Sequence, residues 1–141
     1  MLAQILETFG PTVAPVGSFN NEIGVPLTAC RSNENTSFLV SEMGTRGLGH
    51  ISWLTSIVTP DVAMVLNVGN AHLGEFGSRE VIAQAKGEIV EALSVDGWAV
   101  LNAADTLVAG MAPRTRGHIA WFSPDAVHRR REAVREGWAQ A

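Results

Sequence analysis

Residues 62–77 read VAMVLNVGNAHLGEFG. The segment opens on an apolar run, Val62-Ala63-Met64-Val65-Leu66, and then breaks into Asn67-Val68-Gly69-Asn70-Ala71-His72. An apolar run this short, bounded by Asn and Gly, predicts a buried strand in a parallel sheet covered on both faces. The polar cluster then falls at the strand's carboxyl end, where open α/β sheets place their ligands. His72 stands there with Glu75 close behind it and a new helix following, which makes it a candidate metal ligand or acid–base group. A satisfied loop histidine is the plainer alternative.

Working toward the C-terminus, residues 79–93 carry a helical apolar stripe, and Ser78 precedes them as a cap. Asp96-Gly97 turns into a strand over 98–102, a short helix follows over 105–111, and residues 118–122 form a last strand. In the other direction, Leu48, Ile51, Leu54 and Val58 mark a helix that Pro60 closes, and a strand over 38–40 ends in Ser41-Glu42-Met43-Gly44. Before these come a short helix or irregular piece over 27–31, a polar turn over 17–24 and an extended stretch over 12–16. Residues 2–9 show a helical stripe of Leu2, Ile5, Leu6 and Phe9, which Gly10-Pro11 ends. That helix starts in mid-pattern with no capping residue, which suggests a missing upstream piece. Strands alternating with helices predict an α/β, three-layer fold on a parallel sheet. Residues 1–124 form the expected domain, and 125–141 an atypical charged tail that is peripheral or disordered.

At 141 residues the chain suits one domain with a real core. A formal net charge of −4 speaks against a nucleic-acid partner. The single cysteine, Cys30, excludes an intramolecular disulfide and fits a reducing compartment. No apolar stretch reaches the ~18 residues of a membrane span, and the start lacks signal-peptide character. Cytoplasmic localisation is expected, with no membrane partner.

Three side chains near predicted element ends carry the chemistry: Glu42, His72 and Lys86. If one parallel sheet brings Glu42 and His72 to the same rim, carboxylate oxygen and neutral imidazole suit a divalent cation. A solvated strand-end carboxylate is the plainer alternative for Glu42. Lys86 projects from the side of its helix that carries Ile82, Ala85, Ile89 and Leu93. An ammonium there must snorkel, find an anion or lose its proton. Deprotonated, it is a nucleophilic amine able to take up carbon dioxide as a carbamate, an anionic oxygen ligand. Asn20, Asn21 and Asn102 also sit at element ends. Turn-forming habit accounts for all three, although the Asn102 amide also suits an adenine edge. The chain contains no GxxxxGK[ST] and no GxGxxG.

These stretches together resemble the central, ATP-binding domain of the Mur ligase family. The matching segments are GSFNNEIGVPLT (17–28), VSEMGTRGLGHI (40–51), LNVGNAHLGEFGS (66–78), AQAKGEI (83–89) and LNAAD (101–105). NNEIG together with AHLGEFGS points to the branch that adds D-alanyl-D-alanine to UDP-N-acetylmuramoyl-tripeptide. The resemblance implies a P-loop-NTPase-like domain, here without its first strand and phosphate loop. It also implies that Glu42, His72 and a carbamylated Lys86 are catalytic magnesium ligands. By the same resemblance Asn20 and Asn21 line the phosphates and substrate, and Asn102 recognises the adenine of ATP. Asp105 matches the second aspartate of the family's NADD motif, while Ala104 replaces the first.

The implied activity is ATP-dependent amide-bond formation in peptidoglycan precursor synthesis, through an acyl phosphate. Its cofactor and co-substrate would be Mg2+ and ATP, and its substrates UDP-MurNAc-peptide and D-Ala-D-Ala. A chain without the phosphate loop is expected to be an incomplete part, inactive by itself. Two alternatives are a non-catalytic binding module on the ligase scaffold and a ligase acting on folate or a polyglutamate chain. An open sheet edge would allow self-association.

Overall fold

The computed structural model of the chain describes residues 1–69 and 77–124. Helix α1 (Leu2–Leu6) leads into β1 (Thr12–Val13), and α2 (Gly24–Ala29) into β2 (Phe38–Leu39). Helix α3 (His50–Ile57), β3 (Val62–Val65), α4 (Arg79–Glu91), β4 (Trp98–Asn102) and α5 (Thr106–Ala109) follow. A 3₁₀ turn (Ala112–Arg114) and β5 (His118–Phe122) complete the order.

Among the described residues all the strand pairs are parallel, as helix-linked strands require. β1 and β2 form a two-stranded sheet, and β3-β4-β5 a separate three-stranded one. In the larger sheet Val65 lies beside Leu101, and Leu101 beside Trp121. The expectation of a single sheet running from β2 to β3 is therefore not met: no ladder joins those strands among the described residues. Helices α3 and α4 pack on each other, and α3 joins β2 to β3 along the chain.

The core lies between the larger sheet and α4 and α5. Ala63, Val65, Ala99 and Leu101 point into it from the strands, and Ile82, Ala83, Val90, Val108 and Met111 meet them from the helices. β3 is not buried on both faces as expected. Its side chains alternate, with Val62 (58% exposed), Met64 (46%) and Leu66 (57%) on an open face. Helices cover one side of this sheet among the described residues, so period-two alternation sends every second side chain outward.

Helix boundaries also differ from expectation, most of all at α1 and α2. α1 stops at Leu6, and its stripe residues Leu2, Ile5 and Phe9 are exposed. With no side-chain cap and no buried residue, so short a helix has little to extend it. α2 begins earlier than the sequence suggested, because Asn21 Oδ1 accepts from the N–H groups of Ile23 (3.2 Å) and Gly24 (2.9 Å). Pro26 then falls in the first turn, where its missing N–H costs nothing.

Candidate functional site

The backbone leaving β3 is held by side chains at each successive residue. Asn102 Nδ2 donates to the Leu66 carbonyl at 2.8 Å, and Lys86 Nζ donates to the Asn67 carbonyl at 2.8 Å. Val68 N–H donates to Asp105 Oδ2 at 2.8 Å, and Arg79 Nη2 donates to the Val68 carbonyl at 2.8 Å. These partners come from α4, from the end of β4 and from the cap of α5, so the strand exit is fixed by three elements. His72 and Glu75, which the sequence singled out, lie outside the described residues.

Lys86 is the one lysine in the chain. It is half-buried on α4, as its place in the apolar stripe predicted, and its amine donates to a backbone carbonyl. Burial pushes this amine below the ordinary lysine range, and the Asp105 carboxylate works against the shift. Asp105 itself caps α5, accepting from Leu107 N–H (3.0 Å) and Val108 N–H (3.3 Å) at Oδ1. Burial acts to raise its carboxyl. Donation from Val68, Val108 and Leu107, with the Arg79 charge, outweighs that and holds it below the usual aspartate value.

Asn102 is buried, and both ends of its amide meet backbone: Nδ2 on Leu66, and Oδ1 accepting from Ala104 N–H at 2.9 Å. Asn21 Oδ1 is occupied by the Ile23 and Gly24 N–H groups in the turn that leads into α2. Both therefore show the turn-forming habit weighed from sequence. Asn20 does something different. Its Nδ2 donates to Glu42 Oε1 at 2.9 Å, and its carbonyl accepts from Gly44 N–H at 2.7 Å. The NNEIG turn thus grips the segment that follows β2.

Glu42 is exposed at the end of β2. Beside it in sequence, Ser41 Oγ is buried with no hydrogen-bond partner among the described residues. An exposed carboxylate, an orphaned hydroxyl and an amide-braced side chain make an oxygen-rich end, and oxygen donors fit a hard divalent cation. No hydrogen bond or ion pair joins Glu42 to Lys86. Among the described residues no three His, Cys, Asp or Glu side chains gather around one point.

Sequence reasoning missed Glu88, Arg114 and Glu22. The Glu88 carboxylate is buried and accepts from Gly49 N–H (2.6 Å) and Ser52 N–H (2.9 Å), capping α3 from a different helix. A signal for it was available: α3 starts at Gly49-His50 with no Ser, Thr, Asp or Asn, so its first N–H groups need a remote acceptor. Glu22 stands 3.5 Å from both Arg46 Nη1 and His50 Nε2, and the three line a shallow groove with Trp53. Arg46 N–H donates to His50 Nδ1 at 3.2 Å, which leaves Nε2 to carry the proton toward Glu22. No sequence pattern pairs residues this far apart.

The family described as Mur ligase middle domain matches residues 1–136. The UDP-N-acetylmuramoyl-tripeptide--D-alanyl-D-alanine ligase of Mycobacterium tuberculosis (strain ATCC 25618 / H37Rv) is 49% identical over 125 residues, covering 89% of this chain and 24% of that relative. The protein of the same name from Escherichia coli (strain K12) is 37% identical over 129 residues, or 91% and 28% of the two chains. MurF from Acinetobacter baumannii superposes with a TM-score of 0.81 at 35% identity, over 86% of this chain and 27% of that one. MurF ligase from Thermotoga maritima, in complex with ADP, gives 0.79 at 33% identity, over 89% and 29%. The mixed helix and parallel-sheet fold expected from sequence is the fold of these structures. The chain spans about a quarter of the length of the curated relatives it matches.

Proposed function

This chain belongs to the Mur ligase family through its middle domain, and we propose on that basis that it is the metal- and nucleotide-handling part of an ATP-dependent ligase. The ligase adds D-Ala-D-Ala to UDP-MurNAc-tripeptide in cytoplasmic peptidoglycan precursor synthesis. ATP phosphorylates the tripeptide's terminal carboxylate, and the amine of D-Ala-D-Ala displaces phosphate to form the amide. Domain limits of 1–124, with a distinct segment over 125–141, go with this assignment.

The observation that carries it is the setting of Lys86. A solitary lysine, half-buried on α4, holds its amine at the carboxyl end of β3, where the family's AKGEI motif needs it. Desolvation favours the neutral amine, whose lone pair can attack carbon dioxide. The N–C bond forms as one C–O π bond opens, and a proton leaves to solvent, giving a carbamate. Glu42, His72 and the Lys86 carbamate would hold Mg2+. When bound, the metal neutralises charge that develops on the transferring phosphoryl group. Asn20 orients the Glu42 carboxylate. Asn21, Asn102 and Asp105 shape the nucleotide side of the site by fixing the turns on which it rests.

Growth on 13C,15N-lysine gives a chain with one labelled lysine, and paramagnetic Mn2+ is a probe for the Mg2+ site. Bound Mn2+ is expected to broaden the Lys86 resonances, and E42Q is expected to weaken that effect. Broadening absent in the wild-type chain, or unchanged by E42Q, overturns the metal assignment. In a ligase carrying this sequence as its middle part, K86M and E42Q should each abolish ADP release dependent on both substrates. The chain alone should show no such release.

A further inference from the structure

Lys86, Gly87 and Glu88 are consecutive on α4 and meet three different neighbours. Successive residues turn by about 100° around an α-helix, so adjacent positions face different ways. Lys86 reaches the Asn67 carbonyl, and Glu88 reaches the first amides of α3. Gly87 lies under the guanidinium of Arg114, at the end of the 3₁₀ turn. Arg114 Nη2 donates to the Gln84 carbonyl (2.8 Å), Nη1 to the Ala83 carbonyl (3.3 Å), and Nε to Glu91 Oε1 (2.8 Å).

A Cβ added at Gly87 would collide with Nη1, Cζ and Nη2 of Arg114. The glycine is therefore a seat. Bare backbone lets a planar, forked cation lie against the helix and reach two of its carbonyls at once. Arg114 follows α5, in the same β4–β5 connection as Asp105, which together with Asn102 at the end of β4 holds the backbone leaving β3. Both partners of the Lys86–Asn67 hydrogen bond are thus braced from one connecting segment.

We propose that Arg114 is a positioning residue: seated on Gly87, it locks α4 against the β4–β5 connection and so keeps the Lys86 amine on the Asn67 carbonyl. Its importance for catalysis rests on the proposed role of Lys86, but the positioning itself does not. Charge alone would not serve. Two carbonyls and a carboxylate need three N–H groups in fixed directions, which an ammonium on a flexible stem does not supply.

The single lysine makes the test direct. In the labelled chain, nuclear Overhauser contacts from the Lys86 ε-methylene to the Asn67–Val68 backbone report the position of the amine without metal or nucleotide. R114A and G87A should each lose these contacts while the amides of Ala99 and Leu101 keep their sheet pattern. The double variant should lose no more than either single one, since both remove the same seated guanidinium. R114K should not restore the contacts. Contacts kept at wild-type strength in G87A overturn the proposal, even if its melting temperature falls, because Arg114 is then a structural brace alone. G87A decides the matter should R114A fail to fold. Mn2+ broadening of Lys86 is scored separately, so the ligase assignment and the positioning role stand or fall on different readouts.

Discussion

Asp105 has two tasks, capping α5 and holding the Val68 amide, and they make its charge state a stability term. Replacing the cap with alanine (D105A) should cost about 1–2 kcal/mol in urea unfolding. The sign of its pH dependence follows from a carboxyl held below its ordinary value in the folded chain. Its contribution is complete above the unfolded carboxylate value of about 3.9 and is lost as pH falls through the depressed folded value. The stability difference between wild type and D105N should therefore be constant near neutrality and shrink in acid. A difference that stays constant down to the lowest folded pH would contradict the hydrogen-bonded carboxylate. Asn102 illustrates what sequence can and cannot supply for one residue. Its position at a strand end was legible, while its use as a tie between β4 and the Leu66 carbonyl was not.

Between elements, Glu88 of α4 links to the first turn of α3 through two backbone amides. Hydrogen bonds to a charged acceptor are worth about 1.5–3 kcal/mol each, and their loss would leave two N–H groups without a protein acceptor. E88A should accordingly destabilise the chain by about 3 kcal/mol, and E88Q by roughly half of that, because an amide oxygen can still accept. Equilibrium urea unfolding of the three proteins checks both values. Helix propensity and tertiary contact make opposite predictions at Gly87. Alanine in a helix interior is favoured over glycine by about 1 kcal/mol, yet here the added methyl meets a guanidinium. G87A is expected to be less stable than wild type. A gain in stability would mean that Arg114 moves away at little cost.

Across the molecule, the face of the larger sheet opposite α4 exposes Val62, Met64, Leu66 and Trp98. Apolar patches of this kind mark interaction surfaces. The isolated chain is expected to self-associate as its concentration rises, and V62T/M64T should reduce the effect. Light scattering over a concentration series reads this directly, and a concentration-independent monomer mass would rule it out.

The larger sheet and its helices were legible in the sequence because their signals are local. β4 and β5 have the expected limits, Ser78 caps α4 through Val81 N–H, and Lys86 lies on the half-buried side that its spacing required. Periodicity and capping depend on neighbours a few residues away, so the chain alone determined them. The division into two sheets, the open face of β3 and the remote cap supplied by Glu88 depend on residues far apart in sequence. So does the seating of Arg114 on Gly87. Only packing decided those, because a side chain's partner across space leaves no periodic trace along the chain.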